Sequence, residues 1–208
     1  MNYFLGLDLS LTRSGYCIIN QDGKQVLGGV ITTEASGQEI ENRFRRYRYI
    51  AEQILSEIRT FSKGKKHIQG VAIEAASFGS IGSRKNQLIE SSAVVTNTLL
   101  DFFYREENTK KATTLWIEVA PQSLKKFILG KLKSKGKEAK NIMCREVYIK
   151  YGATIDDDNE VDAFLLAQVS LVYWKRVNEK DYDGDIFKYQ YEVVDNIIKK
   201  RMKDIKAF

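Results

Sequence analysis

Short apolar runs separated by polar turn residues open the chain. Tyr3–Leu7, Gly15–Ile19 and Gln25–Ile31 each have strand-like composition. Between the second and third runs lies the segment Asn20-Gln21-Asp22-Gly23, which favours a tight hairpin turn because Asp-Gly readily supplies the positive φ that such turns need. We therefore predict three strands in antiparallel succession at the start of the chain.

A long helix is predicted after these strands, over residues 39 to about 61. Apolar residues recur there at helical spacing, namely Phe44, Tyr47, Ile50, Ala51, Ile54 and Ile58. Gly64 is expected to close this helix.

The rest of the chain alternates strands with helices. Val71–Ile73 and Leu115–Val119 are apolar and predict two buried strands. A short helix is predicted between Pro121 and Gly130, because Pro favours the first helical position and Gly the position after the last. Longer helices are predicted over residues 86–104, 137–151, 160–176 and 187–205.

This order of elements predicts an α/β fold. Strand-helix-strand crossovers force parallel pairing, whereas hairpins pair strands in antiparallel fashion. We therefore expect a mixed sheet, with a three-strand antiparallel start and then parallel strands, flanked by helices.

The length and composition of the chain are consistent with a single domain. The sequence has 208 residues, a single proline and no Gly/Ser-rich stretch, so it shows no sign of a linker. Cys17 and Cys144 lack the count and spacing of a zinc site or a disulfide framework and are expected to be small core residues. No apolar run approaches the roughly 20 residues of a membrane span, so we expect no membrane segment and a cytoplasmic protein.

Positive charge is unevenly distributed along the chain. The formal net charge is +6. Arginines interleave with aromatic residues over positions 43–49, and lysines cluster over positions 125–140 and again over 199–206. Such clusters can bind the phosphates of a nucleic acid, and a solvated helix face is the alternative for any one of them.

Three carboxylates lie next to apolar segments. Asp8 follows the first strand, Glu74 ends the strand Val71–Ile73, and Asp162 precedes the apolar run that begins with Ala163. A carboxylate against a buried strand is costly unless it is paired, and a divalent cation is a natural partner. Each acid also has a structural alternative: a turn or cap for Asp8, a salt bridge for Glu74, and a favoured place at a helix N-terminus for Asp162.

At these residues the chain resembles a known family, the RuvC-like Holliday junction resolvases of the ribonuclease H-like superfamily. The resemblance spans residues 2–172 and rests on the order of four motifs, none of which is specific alone. They are Phe4–Ser10 with Gly15-Tyr16 beyond it, Ala72-Ile73-Glu74, Val119–Lys126 with Gly130 and Lys140, and Asp158–Ala167. It implies a ribonuclease H-like nuclease domain over residues 1–175, with residues 176–208 as a C-terminal helical extension packed on or near it.

The resemblance implies that Asp8, Glu74 and Asp162 are catalytic metal ligands for Mg²⁺, or for Mn²⁺ as a substitute, with two ions in the site. The family has a further His or Asp one helical turn before the last aspartate, where this sequence has Asn159. We assign Asn159 as the fourth ligand, because an amide oxygen can bind Mg²⁺ although it brings no charge. The rivals for this place, Asp158, Glu160 and Glu118, stay open, although Glu118 is better explained by a structural role.

The resemblance also implies contacts with branched or four-way DNA and a homodimer, because resolution of a junction requires two symmetric cuts. An aromatic residue after the catalytic glutamate can reach into an opened junction, and packing under its own loop is the alternative. The predicted DNA-binding residues are Phe78, Arg84, Lys85, Lys125, Lys126, Lys137 and Lys140. His67, in the probable turn Gly64–His67, is expected to have a surface role.

Together these features predict an endonuclease that resolves Holliday junctions or other branched DNA by metal-dependent hydrolysis. A ribonuclease on the same fold that acts on RNA or an RNA-DNA hybrid is one alternative. A non-catalytic junction-binding protein is another, because of Asn159. A phosphotransferase of the actin-like type is a third, although that class normally needs two such lobes.

Overall fold

A computed structural model describes residues 2–34, 39–62, 67–75, 83–106, 114–131, 136–178 and 186–206. Within these ranges the chain forms five strands and six helices. In chain order they are β1 (Asn2–Asp8), β2 (Arg13–Asn20), β3 (Gln25–Thr32), α1 (Ile40–Ser62), β4 (His67–Glu74), α2 (Ser83–Glu106), β5 (Leu115–Val119), α3 (Pro121–Leu129), α4 (Gly136–Tyr151), α5 (Asp158–Asn178) and α6 (Lys188–Lys206).

The predicted elements are confirmed, with small changes at their ends. Gly23 lies in the predicted hairpin turn with φ 75°, and its N–H donates to the Asn20 carbonyl at 3.0 Å. Gly130 ends α3 with φ 71°. The expected turn at His67 is wrong, because His67 begins β4 and pairs with Asn2, although its side chain is exposed as expected. Gly64 lies outside the described residues.

The five strands form one mixed sheet in the order β3-β2-β1-β4-β5. The antiparallel pairs are β1 with β2 and β2 with β3, whereas β4 pairs in parallel with both β1 and β5. The predicted fold class is therefore confirmed. Strand β1 lies at the centre, which places the end of this strand deep in the molecule.

Helices cover both faces of the sheet. On one face, which we call the α1/α2 face, Leu5 and Leu7 of β1 pack with Ile54 of α1 and Leu99 of α2. On the opposite face, which we call the α5 face, Phe4 of β1 packs in a second core with residues of α3, α4, α5 and α6. This division follows from the alternation of side chains along a strand.

Two glycines allow α5 to lie directly against the strands. A Cβ atom on Gly6 would fall 1.9 Å from the carbonyl oxygen of Ala163, and one on Gly15 would fall 2.1 Å from that of Asn159. No side chain fits at such distances, so the backbone of α5 contacts β1 and β2 because glycine stands at both positions. This approach brings the first turns of α5 to the end of β1.

Helix α6 packs on the same face and reaches the edge of the sheet. Tyr191 and Val194 are buried in the core of the α5 face. Arg201 donates from Nη1 to the carbonyl of Trp116 on the edge strand β5, and to the hydroxyl of Tyr173, each at 3.2 Å. The boundary predicted at residue 175 stays a prediction.

Both cysteines lie in or against the core of the α5 face, as expected. Cys17 is buried in the core, and Cys144 is partly buried against it, each with a free thiol. None of the helices within the described ranges combines the length and apolar character needed to cross a membrane.

Candidate metal and nucleic-acid site

Asp8 and Glu74 meet because their strands are parallel neighbours. Leu7 of β1 is in register with Ile73 of β4, so the next residue of each strand, an acid in both cases, lies at the same edge of the sheet. Phe4 and Ala72 contribute to the core of the α5 face. By alternation, Asp8 and Glu74 also point to that face, where each carboxyl group affects the pKa of the other.

Asp162 joins them from the helix above. It lies in the second turn of α5, next to Ala163, whose carbonyl lies over Gly6. Its charge acts on Glu74, and the charge of Asp8 acts on it. The expectation that Asp162 points toward the sheet therefore agrees with the structure, which brings together three acids from three separate elements.

The three acids have unusual proton affinity. Burial and the neighbouring Glu74 raise the pKa of Asp8 to about 8. Burial and the charge of Asp8 raise the pKa of Asp162 to about 7. Burial and the charge of Asp162 also raise the pKa of Glu74. Like charges in a poorly solvated place disfavour the ionised form, so the site favours either protons or a cation.

As arranged here, the acids do not form a ready-made metal site. No group of three or more His, Cys, Asp or Glu side chains in the described part of the chain is placed so that it could hold a metal ion. Burial and the neighbouring Glu74 raise the pKa of Asp8 to about 8, so Asp8 holds a proton at neutral pH. A divalent cation would have to replace that proton.

Two lysines predicted to bind DNA lie near the acids. The positive charges of Lys125 in α3 and Lys140 in α4 offset part of the rise that burial causes in the pKa values of Glu74 and Asp162. Lys140 also donates a hydrogen bond to Asp158 in an ion pair whose side chains are 50% and 44% exposed. This hydrogen bond raises the pKa of Lys140. The mouth of the acidic site therefore carries positive charge.

Asn159 lies in the first turn of α5, and its side-chain amide is hydrogen-bonded to the two preceding residues. Its side-chain N–H₂ donates to Oδ1 of Asp157 at 3.0 Å and to Oδ1 of Asp158 at 3.5 Å. The residue that caps α5 is Asp157, whose Oδ1 accepts from the backbone N–H of Asn159 at 2.9 Å. Asn159 is thus not the cap, and its assignment as a metal ligand stays a prediction.

The rivals of Asn159 differ in position. Glu160 accepts a hydrogen bond from Gln25 of β3 at 2.7 Å, on the side of α5 that faces the hairpin. Glu118 is exposed on β5 and is in register with Ile73, which places it on the α1/α2 face. Asp158 acts electrostatically on both Asp8 and Asp162. Of the three rivals, Asp158 therefore lies nearest to the acidic site.

The other predicted DNA-binding residues are more scattered. Lys126 forms an ion pair with Glu192 of α6 at 3.3 Å, and Lys85 is partly buried in the first turn of α2. Phe78 lies outside the described residues, as do the side chains of Arg84 and Lys137. The roles assigned to these residues stay predictions.

The arginine cluster of α1 is divided between the interior and the surface. Arg43 is paired with Glu90 of α2 at 3.3 Å, and Arg46 is buried. Arg45 and Arg48 are exposed. The cluster is therefore not one continuous phosphate-binding surface.

Sequence reasoning missed the ion pair between Arg13 and Asp157. Arg13 opens β2 and binds the capping acid of α5, which ties the first turn of this helix to the sheet beside Asp8. The run of acids at 156–158 was visible in the sequence, but the distant cations that pair with Asp157 and Asp158 were not.

Comparison with protein-family models and with curated proteins finds no match for this sequence. Solved structures do share its fold. RuvC from Thermus thermophilus in complex with Holliday junction substrate has a TM-score of 0.58 at 17% identity, over 86% of this chain and 97% of that chain. Another structure of Thermus thermophilus RuvC has a TM-score of 0.60 at 17% identity, over 86% and 96%. The chain therefore has the ribonuclease H-like fold of the RuvC resolvases, and the resemblance drawn from the motifs is confirmed for the fold.

Proposed function

We propose that this protein is a metal-dependent endonuclease that cuts four-way or otherwise branched DNA. The observation that carries the proposal is the meeting of Asp8, Glu74 and Asp162 at one edge of the sheet, with Lys125 and Lys140 beside them. The fold supports branched DNA as the substrate, because one of the RuvC structures that share it holds a Holliday junction substrate.

The donor set suits Mg²⁺ or Mn²⁺. Asp8, Glu74 and Asp162 supply hard oxygen ligands from three elements, and their raised pKa values mark negative charge that a cation would stabilise. We assign these acids as ligands, with two ions in the site. When bound, Mg²⁺ would activate a water molecule for in-line attack and stabilise the leaving oxygen of the phosphodiester.

The residues of the chain would hold the substrate in place. A DNA phosphate would be repelled by three carboxylates, and Lys125 and Lys140 offset that repulsion at the mouth of the site. These contacts supply affinity and position rather than sequence readout. Phe78 follows Glu74 closely in the sequence, and we assign it to stacking on an unpaired base, which is worth about 1 to 3 kcal/mol.

We also propose that the protein works as a homodimer, so that each subunit cuts one strand. Helices α1 and α2 each expose an apolar side chain: Tyr49 is 47% exposed and Ile89 46%. A second copy of the chain would bury them in the dimer. Light scattering of the wild type and of Ile89→Glu tests this. We expect a dimer for the wild type and a monomer for the variant, whereas a monomeric wild type would contradict the proposal.

Substrate preference tests the proposed activity. We expect Mg²⁺-dependent cleavage of a synthetic four-way junction in preference to a linear duplex and an RNA-DNA hybrid at equal concentration. Preferential cleavage of the hybrid would instead assign a ribonuclease. Tight junction binding with no cleavage in Mg²⁺ or Mn²⁺ would assign a non-catalytic junction-binding protein.

A further inference from the structure

The turn from β1 to β2 follows Asp8 closely and is held by its own side chains. The hydroxyl of Ser10 donates to the carbonyl of Arg13 at 2.7 Å and accepts from the N–H of Arg13 at 2.9 Å. The buried hydroxyl of Ser14 donates to the carbonyl of Ser10 at 3.0 Å and accepts from the N–H of Ser10 at 3.2 Å. These four hydrogen bonds fix the conformation of the segment 10–13.

The carbonyl groups and the N–H groups of this segment are used differently. Thr33, just after β3, donates from Oγ1 to the carbonyl of Leu11 at 2.9 Å and from its N–H to the carbonyl of Thr12 at 2.8 Å. Every carbonyl of the segment 10–13 is thus an acceptor. Within the part of the chain that the structure describes, the N–H groups of Leu11 and Thr12 have no hydrogen-bond acceptor, and Thr12 is exposed. The segment therefore offers two successive backbone donors.

Arg13 brings a positive charge to the same segment. Its side chain is 50% exposed and pairs with Asp157, whose side chain is 26% exposed. Only Nη2 of the guanidinium donates to this carboxylate, whereas an arginine has five N–H donors. Ion pairs between exposed side chains are weak, so Arg13 can contact a second anion while Asp157 orients it.

The segment 10–13 and Lys125 lie on opposite sides of the acids. Strands β1, β4 and β5 are parallel, so β5 ends, and α3 begins, at the edge of the sheet where β1 ends and β2 starts. In the strand order, β2 and β5 are three spacings apart, which is roughly 14 Å. A DNA strand that passes over the acids can therefore meet positive charge on both sides of them.

We propose that the segment 10–13 binds a backbone phosphate of the DNA, with the N–H groups of Leu11 and Thr12 and the guanidinium of Arg13 as donors. Successive N–H groups in a turn favour the binding of anions, and arginine donates strongly to phosphate oxygens. The inference rests on the proposed function, since the ligand is the DNA of that function. It adds a phosphate contact on the side of the acids opposite to Lys125.

The affinity of the full chain for a synthetic four-way junction, measured without Mg²⁺ at several salt concentrations, tests the role of Arg13. Arg13→Gln should weaken binding about fivefold or more and reduce the slope of log affinity against log salt by about one unit, because a cationic contact is lost. Arg13→Lys keeps the charge and should keep the slope, with affinity within about threefold of the wild type.

The backbone donors are tested at Thr12. Thr12→Pro removes the N–H group and should weaken binding about threefold or more without a change of slope, because a neutral donor releases no counterion. Thr12→Ala keeps the N–H group and should bind like the wild type. Thermal melts check the folding of each variant, and the Arg13 variants decide if Thr12→Pro does not fold.

Two further variants separate a phosphate contact from a structural role of Arg13. Asp157→Asn keeps a favoured helix cap but removes the carboxylate that pairs with Arg13, and it should bind the junction at least as tightly as the wild type. Lys24→Gln removes an exposed cation beyond the other end of β2, about 24 Å away at 3.4 Å per residue, and should change neither affinity nor slope.

The inference is overturned if Arg13→Gln keeps the affinity and slope of the wild type, if Asp157→Asn weakens binding as much as Arg13→Gln, or if a folded Thr12→Pro binds like the wild type. Junction cleavage by the wild type in Mg²⁺ distinguishes this failure from failure of the proposed function. An active wild type with unchanged binding in Arg13→Gln would reject the phosphate contact alone. A wild type that does not bind the junction would reject both.

Discussion

The two faces of the sheet are built in different ways. On the α1/α2 face, strand side chains such as Leu5 and Leu7 fill the space between sheet and helices. On the α5 face, Gly6 and Gly15 leave no such space, and the backbone of the helix lies against the strands. The first arrangement separates helices from sheet by a layer of apolar side chains, whereas the second brings side chains of the helix to the end of the central strand.

This difference explains where the acidic site lies. Carboxylates repel each other and resist burial, so they stay together only where the backbone fixes them. The close approach of α5 holds Asp162 beside Asp8 and Glu74, and the ion pair of Arg13 with Asp157 secures the first turn. The α1/α2 face has ion pairs as well, such as Arg43 with Glu90, but its core residues are apolar.

The largest expected effect comes from the acids themselves. Asp8→Asn, Glu74→Gln and Asp162→Asn should each reduce junction cleavage at least ~1,000-fold while binding changes little, because ligand loss disables water activation and affinity resides in lysine contacts. Glu118→Gln is the control, since this acid lies on the α1/α2 face. Near wild-type cleavage in all three site variants would show that these acids are not required for cleavage.

The close approach of α5 can be broken with a single methyl group. Gly6→Ala places a Cβ atom 1.9 Å from a backbone carbonyl, so helix or strand must move, and we expect a loss of about 3 kcal/mol in unfolding free energy. Gly29→Ala is the control, because the nearest atoms to its Cβ belong to the side chain of Tyr16, at 3.0 Å and beyond, rather than to backbone. Urea denaturation measures both. Equal stability of the two variants would mean that α5 lies farther from the sheet.

The pH dependence of stability should reflect the buried acids of the α5 face. The pKa of Asp8 is raised to about 8 and that of Asp162 to about 7, from the ordinary value of 3.8, so the folded protein binds protons that the unfolded chain releases. Without metal, stability should therefore fall as pH rises from about 4 to about 8. Thermal melts across this range should show a decrease of several degrees, which Asp8→Asn should reduce. A flat profile would contradict the raised pKa values.

The smallest expected effect concerns phosphate contacts. Lys125→Ala should weaken junction binding and reduce the slope of log affinity against log salt by about one unit, because one phosphate contact is lost. Arg48→Ala, which removes an exposed charge from α1 on the opposite face, should leave the slope unchanged. Fluorescence anisotropy at several salt concentrations measures both. Equal slopes in the two variants would mean that Lys125 does not contact a DNA phosphate and is a solvated surface residue.

The sequence predicted the framework of the site because the signals are local. Asp8 and Glu74 each follow a buried apolar run, and Pro121 and Gly130 mark the ends of α3. Periodicity and turn residues report the conformation of neighbouring positions in the chain, and the strands and helices follow from them.

Partners distant in the sequence could not be predicted in this way. The ion pairs of Lys126 with Glu192 and of Arg13 with Asp157 join residues far apart in the chain, and no local pattern indicates them. Helix α5 begins at Asp158, two residues before its predicted start, because Asp157 caps it. Charge and spacing show that a side chain needs a partner, but only the packing of helices and strands selects which one.

The contact of Arg201 with β5 has a consequence for the protein in a crowded solution. A terminal strand of a sheet offers unused carbonyl and amide groups, and a strand from another molecule can add to them and start aggregation. Arg201 occupies the carbonyl of Trp116 with a charged group from α6. Loss of α6 would free this carbonyl on the edge strand β5 for pairing with a strand of another molecule. We therefore expect α6 to reduce aggregation.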